Sequence, residues 1–131
     1  MITMSTKYAA IDIGLKRIGL AICLQKDIVT PQSAILRKNR NQASRDVDSF
    51  LKEWEIDTLI VGYPKSSEDM IKRVNHFVTL LKFEGEIKFQ NEDMSSIEAE
   101  ELIKGDIKYK RDGRVDSIAA QIILERYMSS Q

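Results

Sequence analysis

The chain has 131 residues, 43% hydrophobic and 31% charged, which suits one compact domain and excludes both a disordered segment and a pair of independent cores. Its 20 basic and 20 acidic residues cancel, which excludes a protein that grips nucleic acid by bulk charge alone. No apolar run reaches the roughly 20 residues that span a bilayer, and the uncharged start from Met1 to Thr6, followed by a run broken at Asp12, does not read as a secretion signal.

Lys7 to Ile13 reads as a central strand, because Tyr8, Ala9, Ala10, Ile11 and Ile13 form the nearly continuous apolar run expected where both faces are covered. Gly14 permits a tight turn, and Ile18 to Leu24 is a second apolar strand placed to pair antiparallel with the first. The sole cysteine, Cys23, lies in it and cannot close an internal disulfide, so a reducing cytoplasm is the expected setting. Ile28 to Leu36 is a third strand, which Pro31 confines to a sheet edge or interrupts.

From Asn39 the period changes. Val47, Phe50, Leu51 and Trp54 fall at helical spacing, so a helix runs to about Glu55. Thr58 to Val61 is a short buried strand, stopped by Gly62 and Pro64. Ser66 with Asp69 resembles a capping box that opens a second helix, with Ile71, Val74, Val78 and Leu81 facing inward. The only histidine, His76, lies off that stripe and reads as a solvated surface residue. Gly85 breaks the chain, and Glu86 to Gln90 alternates as a strand. Ser95 with Glu98 forms another capping box for a short helix ending near Ile103 and Gly105. A basic loop then leads to a last helix from about Gly113, with Val115, Ile118, Ala119, Ile122 and Ile123 as its apolar stripe.

This order predicts an α/β fold spanning residues 1–131 as one domain: a mixed five-stranded sheet, three strands antiparallel and then two parallel, flanked by helices. Such sheets bind ligands beyond the carboxyl ends of their parallel strands. Acidic residues are therefore sought there, and four are candidates. Asp12 interrupts a buried run; it reads either as a turn former or as a carboxylate that needs a cationic partner. Glu92 and Asp93 follow the last strand and precede a helix, where acids also favour the helix dipole. Asp116 opens the last helix, and Ala119 and Ala120 in the following turn let that helix approach the sheet closely. Converging carboxylates repel one another unless a cation neutralises them. Magnesium and manganese take such oxygen ligands and support hydrolysis of a phosphodiester. Around this acidic centre a basic rim is expected from Lys16 and Arg17 and from Lys104, Lys108, Lys110, Arg111 and Arg114, although the second group also reads as an ordinary solvated loop.

Four ordered motifs carry a family resemblance. Ala10-Ile11-Asp12-Ile13-Gly14-Leu15-Lys16-Arg17-Ile18-Gly19-Leu20-Ala21 resembles the D-x-G-x-K-R-I-G-x-A opening of the YqgF family. Ile60-Val61-Gly62-Tyr63-Pro64 resembles its I-V-G-L-P, Glu92 to Ala99 its D-E-R-x-T-T-x-E-A, and Val115-Asp116-Ser117-Ile118-Ala119-Ala120 with Ile123-Leu124 its V-D-x-x-A-A…I-L. The resemblance implies an RNase H-like fold and a nuclease of pre-16S ribosomal RNA that looks like a Holliday junction resolvase. It implies an acidic triad at Asp12, Glu92 and Asp116, acting as catalytic residues and as ligands of Mg2+ or Mn2+. Lys16, Arg17, Lys110, Arg111 and Arg114 are then the expected nucleic-acid contacts, with precursor rRNA or branched DNA as substrate. The chain departs from the pattern at Asn91 and at Asp93, where the family carries an aspartate and an arginine. Ser95 and Ser96 keep the hydroxyls of two threonines. Lys65 leads almost straight into the helix, which trims one wall of the expected substrate groove. Those departures leave two rivals: a resolvase of branched DNA, and a non-catalytic RNA-binding assembly factor that keeps the fold.

Overall fold

The computed structural model describes residues 6–25, 28–91 and 114–130, with side chains in the last stretch from Ser117 onward. Five strands form one sheet in the order β3-β2-β1-β4-β5: β1 (Tyr8–Ile13), β2 (Arg17–Gln25), β3 (Ile28–Leu36), β4 (Thr58–Tyr63) and β5 (Glu86–Asn91). The β1–β2 and β2–β3 pairs are antiparallel, whereas β1–β4 and β4–β5 are parallel. The expected mixed sheet is therefore present, and Pro31 lies on an edge strand as expected.

Among the described residues three helices pack on this sheet: α1 (Arg40–Glu53), α2 (Glu68–Leu80) and α3 (Arg114–Ser129). Strand alternation divides the core between the two faces. Ala9, Ile11 and Ile13 of β1, with Ile18, Leu20 and Ile22 of β2 and Leu59 and Val61 of β4, pack against Val47 and Leu51 of α1 and Val74 and Phe77 of α2. Ala10, Ala21, Cys23 and Ile60 pack against Ala120, Ile123, Leu124 and Tyr127 of α3 on the other face. The small residues Ala10 and Ala21 meet Ala120, so α3 lies close to the strands.

Local chemistry sets the helix ends. Asn39 caps α1 through a reciprocal capping box with Gln42. At the other end the Ile56 amide donates to the Leu51 carbonyl and the Glu55 amide to the Lys52 carbonyl, a Schellman closure with Glu55 at φ 53°. Gly85 is required by a close approach: a Cβ there would collide with the Asp57 carbonyl oxygen, which accepts from the Glu86 amide and so starts β5 beside β4.

The structure corrects several expectations. The cap of α2 is Ser67, one residue beyond the expected Ser66, and its side chain accepts from the Met70 amide. The fully buried residues of α2 are Val74 and Phe77, whereas Ile71, Val78 and Leu81 are half-buried. Phe77 lies under the Arg37 guanidinium, whose Cζ is 5.5 Å from the ring centroid. β4 continues through Gly62 to Tyr63 because its parallel pairing with β5 persists to Tyr63↔Asn91. In α3 the sheet-facing side chains are Ala120, Ile123, Leu124 and Tyr127, while Ile118, Ala119 and Ile122 form a separate buried cluster. The expected stripe is buried at Ile118, Ala119, Ile122 and Ile123, and burial extends beyond it to Ala120, Leu124 and Tyr127, because this helix is apolar around most of its circumference. The predicted helix after Ser95 lies outside the described residues.

Candidate active site

Parallel pairing brings the carboxyl ends of β1, β4 and β5 to one edge of the sheet. Ile11 is level with Val61, and Val61 with Phe89, so the strands end nearly together at Ile13, Tyr63 and Asn91. Asp12 sits at this edge, half-buried, between the fully buried Ile11 and the 3% exposed Ile13. By alternation it shares the α3 face of β1 with Ala10. Its register partner is Gly19, and Gly62 follows Val61, the partner of Ile11, on the other side.

Helix α3 runs antiparallel to β1 on that face. Tyr127, near its end, meets Tyr8 at the start of β1, with ring centroids 5.9 Å apart. Ser117, near its beginning, is completely buried, and its Oγ accepts from the Leu20 amide at 3.4 Å. Leu20 pairs with Ile11 and directly follows Gly19, the partner of Asp12. The first turn of α3 is thereby docked at the end of the sheet that carries Asp12. Asp116 belongs to that turn, immediately before Ser117. Helical spacing puts position 116 one turn ahead of Ala120, in line with Ile123 and Tyr127. The side chains of Asp116 and Arg114 lie outside the described set, as do Glu92, Asp93, Lys104, Lys108, Lys110 and Arg111. Glu92 is the residue after the last of β5. Among the described residues no three His, Cys, Asp or Glu side chains gather as a metal site.

Lys16 and Arg17 are exposed on the β1–β2 turn, beside the site. Two devices shape that turn. The Gly14 amide donates to the Arg17 carbonyl at 2.9 Å, and a Cβ on Gly14 would stand 2.7 Å from that same oxygen. Arg37 then fixes the turn from outside: its amide donates to the Lys16 carbonyl at 2.8 Å and its Nη1 to the Gly14 carbonyl at 2.7 Å. Sequence reasoning missed both Arg37 and Ser117 as supporting residues. Arg37 gives no local signal, since its role comes from a contact 23 residues away. Ser117 gives a faint one, as a small hydroxyl inside an otherwise apolar helix start. His76 is exposed on α2, as expected, and takes no part in this edge.

The donor chemistry suits a hard divalent cation. A carboxylate at a strand end, on the face where a helix that carries a second acid begins, offers oxygen ligands of the kind such a cation takes.

Comparison with known proteins agrees with this architecture. Residues 6–130 match the family described as "RuvX: Holliday junction resolvase". A Sulfurovum protein (strain NBC37-1), named "Putative pre-16S rRNA nuclease", is 60% identical over 126 residues, covering 94% of this chain and 98% of its own. Among solved structures, the fowlpox virus resolvase in complex with substrate Holliday junction DNA aligns with a TM-score of 0.61 at 16% identity, over 95% of this chain and 98% of that one. Thermus thermophilus RuvC aligns with a TM-score of 0.50 at 11% identity, over 95% of both chains. These structural likenesses identify the fold as RNase H-like.

Proposed function

The chain belongs to the RuvX family, and on that premise we propose that it is a metal-dependent endonuclease acting in the maturation of pre-16S ribosomal RNA. The observation that carries the reading is the position of Asp12: a half-buried carboxylate at the shared carboxyl edge of β1, β4 and β5, facing the docked start of α3. Asp12, Glu92 and Asp116 are the proposed ligands. Mg2+ or Mn2+ held by them would supply an activated water and stabilise the leaving oxygen of the phosphodiester. Lys16 and Arg17, on the turn fixed by Arg37, attract and orient the phosphate backbone; Lys110, Arg111 and Arg114 are proposed to do so from the segment leading into α3. RNA is favoured because the Sulfurovum relative, which matches this chain over 98% of its own length, is named for pre-16S rRNA. The family description favours a second reading, resolution of four-way DNA junctions by the same chemistry. Action on precursor rRNA implies a cytoplasmic protein, and no described helix is long and apolar enough to cross a membrane.

Incubating the purified protein with precursor rRNA and with four-way DNA junctions, with and without Mg2+ or Mn2+, tests the proposal. Metal-dependent cutting of the RNA is expected. Cutting of junctions alone would select the resolvase reading, and binding without cutting in any metal would select the assembly factor.

A further inference from the structure

A second cationic surface lies away from the acidic edge, among α1, α2 and the segment between β3 and α1. Arg37, Arg40, Lys72 and Arg73 line one cleft of about 480 Å3, together with Asp69, His76 and Phe77. Four cations face a single carboxylate there. Among the described residues none of the four forms an ion pair. Burial holds the Arg37 guanidinium below its ordinary pKa, and Arg40 and Arg73 push it further down by repulsion. Four cations with one carboxylate among them leave an excess of positive charge poised for an anion with several acceptor oxygens, and guanidinium groups match phosphate geometry. The cleft is also joined to the candidate active site. Arg37 spans both, reaching the Gly14 and Lys16 carbonyls of the turn that follows Asp12. Gly14, Leu15, Lys16, Arg17 and Leu36 form an adjoining hollow, which extends the basic track from Lys16 and Arg17 to Arg40 and Arg73.

We propose that this cleft binds phosphates of the nucleic-acid substrate away from the scissile bond, as a second anchoring point for long or branched substrates. The inference rests on the nuclease reading. With zero net charge, the chain has to concentrate its phosphate contacts in such places rather than spread them.

The test is a triple variant, Arg40→Gln with Lys72→Gln and Arg73→Gln. All three side chains are exposed, and Arg37 is left intact to keep the turn fixed. Fluorescence anisotropy would follow binding of a long precursor-rRNA fragment and of a short oligonucleotide at several salt concentrations. Affinity for the long RNA should fall at least about tenfold, and the slope of log affinity against log salt should flatten by about 2, the loss of about three phosphate contacts. Affinity for the short RNA should stay within about twofold of the parent's. If the parent binds the long RNA and the variant matches it in affinity and slope, the anchoring site is overturned while the nuclease reading stands. An equal loss on both RNAs also overturns it. So does a variant that loses binding of poly-glutamate but keeps its RNA affinity, which would assign the cleft to an acidic protein partner. A parent that neither binds nor cuts any nucleic acid overturns the nuclease reading itself, and the anchoring site with it.

Discussion

Leu20 and Ser117 are 97 residues apart in sequence, yet the Leu20 amide donates to the Ser117 hydroxyl in a fully buried contact. This bond ties the start of α3 to β2 one residue from Gly19, the partner of Asp12. Replacing Ser117 with Ala removes this buried acceptor, at a cost of about 1 kcal/mol in unfolding free energy. Denaturant titration measures that loss. If α3 positions Asp116, the Ala variant should also need more metal for half-maximal activity. Ser117→Thr, which keeps a hydroxyl at that position, should need less metal than the Ala variant. An unchanged metal requirement in Ser117→Ala would confine Ser117 to stability alone.

Much of the fold was legible in the sequence because the strands announce themselves. The apolar run from Tyr8 to Ile13 is doubly covered, as its composition requires, and Pro31 marks the edge. Asp12 stood out for a related reason: a charge inside such a run needs an explanation. Helix faces were harder. Phe77 is fully buried where Val78 was expected to be, while Val78 packs half-buried against the same core. Arg37 lies over the Phe77 ring, a contact between distant segments that periodicity within α2 does not contain. In α3 both sides are buried, so the pattern alone did not distinguish the sheet-facing residues Ala120 and Tyr127 from Ile118 and Ile122.

The backbone after α1 offers a stability prediction independent of function. Glu55 closes the helix with φ 53°, a left-handed conformation that costs a side chain about 1 kcal/mol relative to glycine. Its carboxylate forms an exposed ion pair with Lys7 at 3.3 Å, worth a few tenths of a kcal/mol, roughly 0.2 to 1. Glu55→Gly relieves the strain and loses the pair, so stability should rise slightly. Glu55→Ala loses the pair and keeps the strain, so stability should fall. The gap between the two variants, about 1 kcal/mol by denaturant melts, is the measurable quantity. Equal stability of Gly and Ala at position 55 would mean that the strain is absent in solution.

For catalysis the decisive variant is Asp12→Asn. It keeps the shape of the side chain and removes the charge at the sheet edge. Loss of a metal ligand should lower cleavage at least about 100-fold, and excess chelator should lower the parent to the same level. Folding should be retained, because the core residues on either side of it, Ile11 and Ile13, are untouched. Cleavage by Asp12→Asn at the parental rate would rule out Asp12 as a ligand and with it the proposed mechanism.

Convergence of the three carboxylates can be tested without any substrate. If Asp12, Glu92 and Asp116 meet, the metal-free protein carries three mutually repelling charges, and removing one relieves the repulsion. Asp116→Asn should then raise the melting temperature measured in chelator. Mn2+ should stabilise the parent by mass action, by about 2.7 kcal/mol when free ion stands at about 100 times its dissociation constant. The variant should lose most of that gain, because one of its ligands is gone. An acid in the first turn of α3 has a competing role, since it interacts favourably with the helix dipole. That role forecasts the opposite sign: Asp116→Asn would melt lower in chelator and respond to Mn2+ as fully as the parent. Thermal melts of both proteins, in chelator and in millimolar Mn2+, distinguish the cases by the direction of two shifts. A lower melting temperature together with an undiminished metal response would remove Asp116 from the ligand set and leave it as a helix-terminus charge.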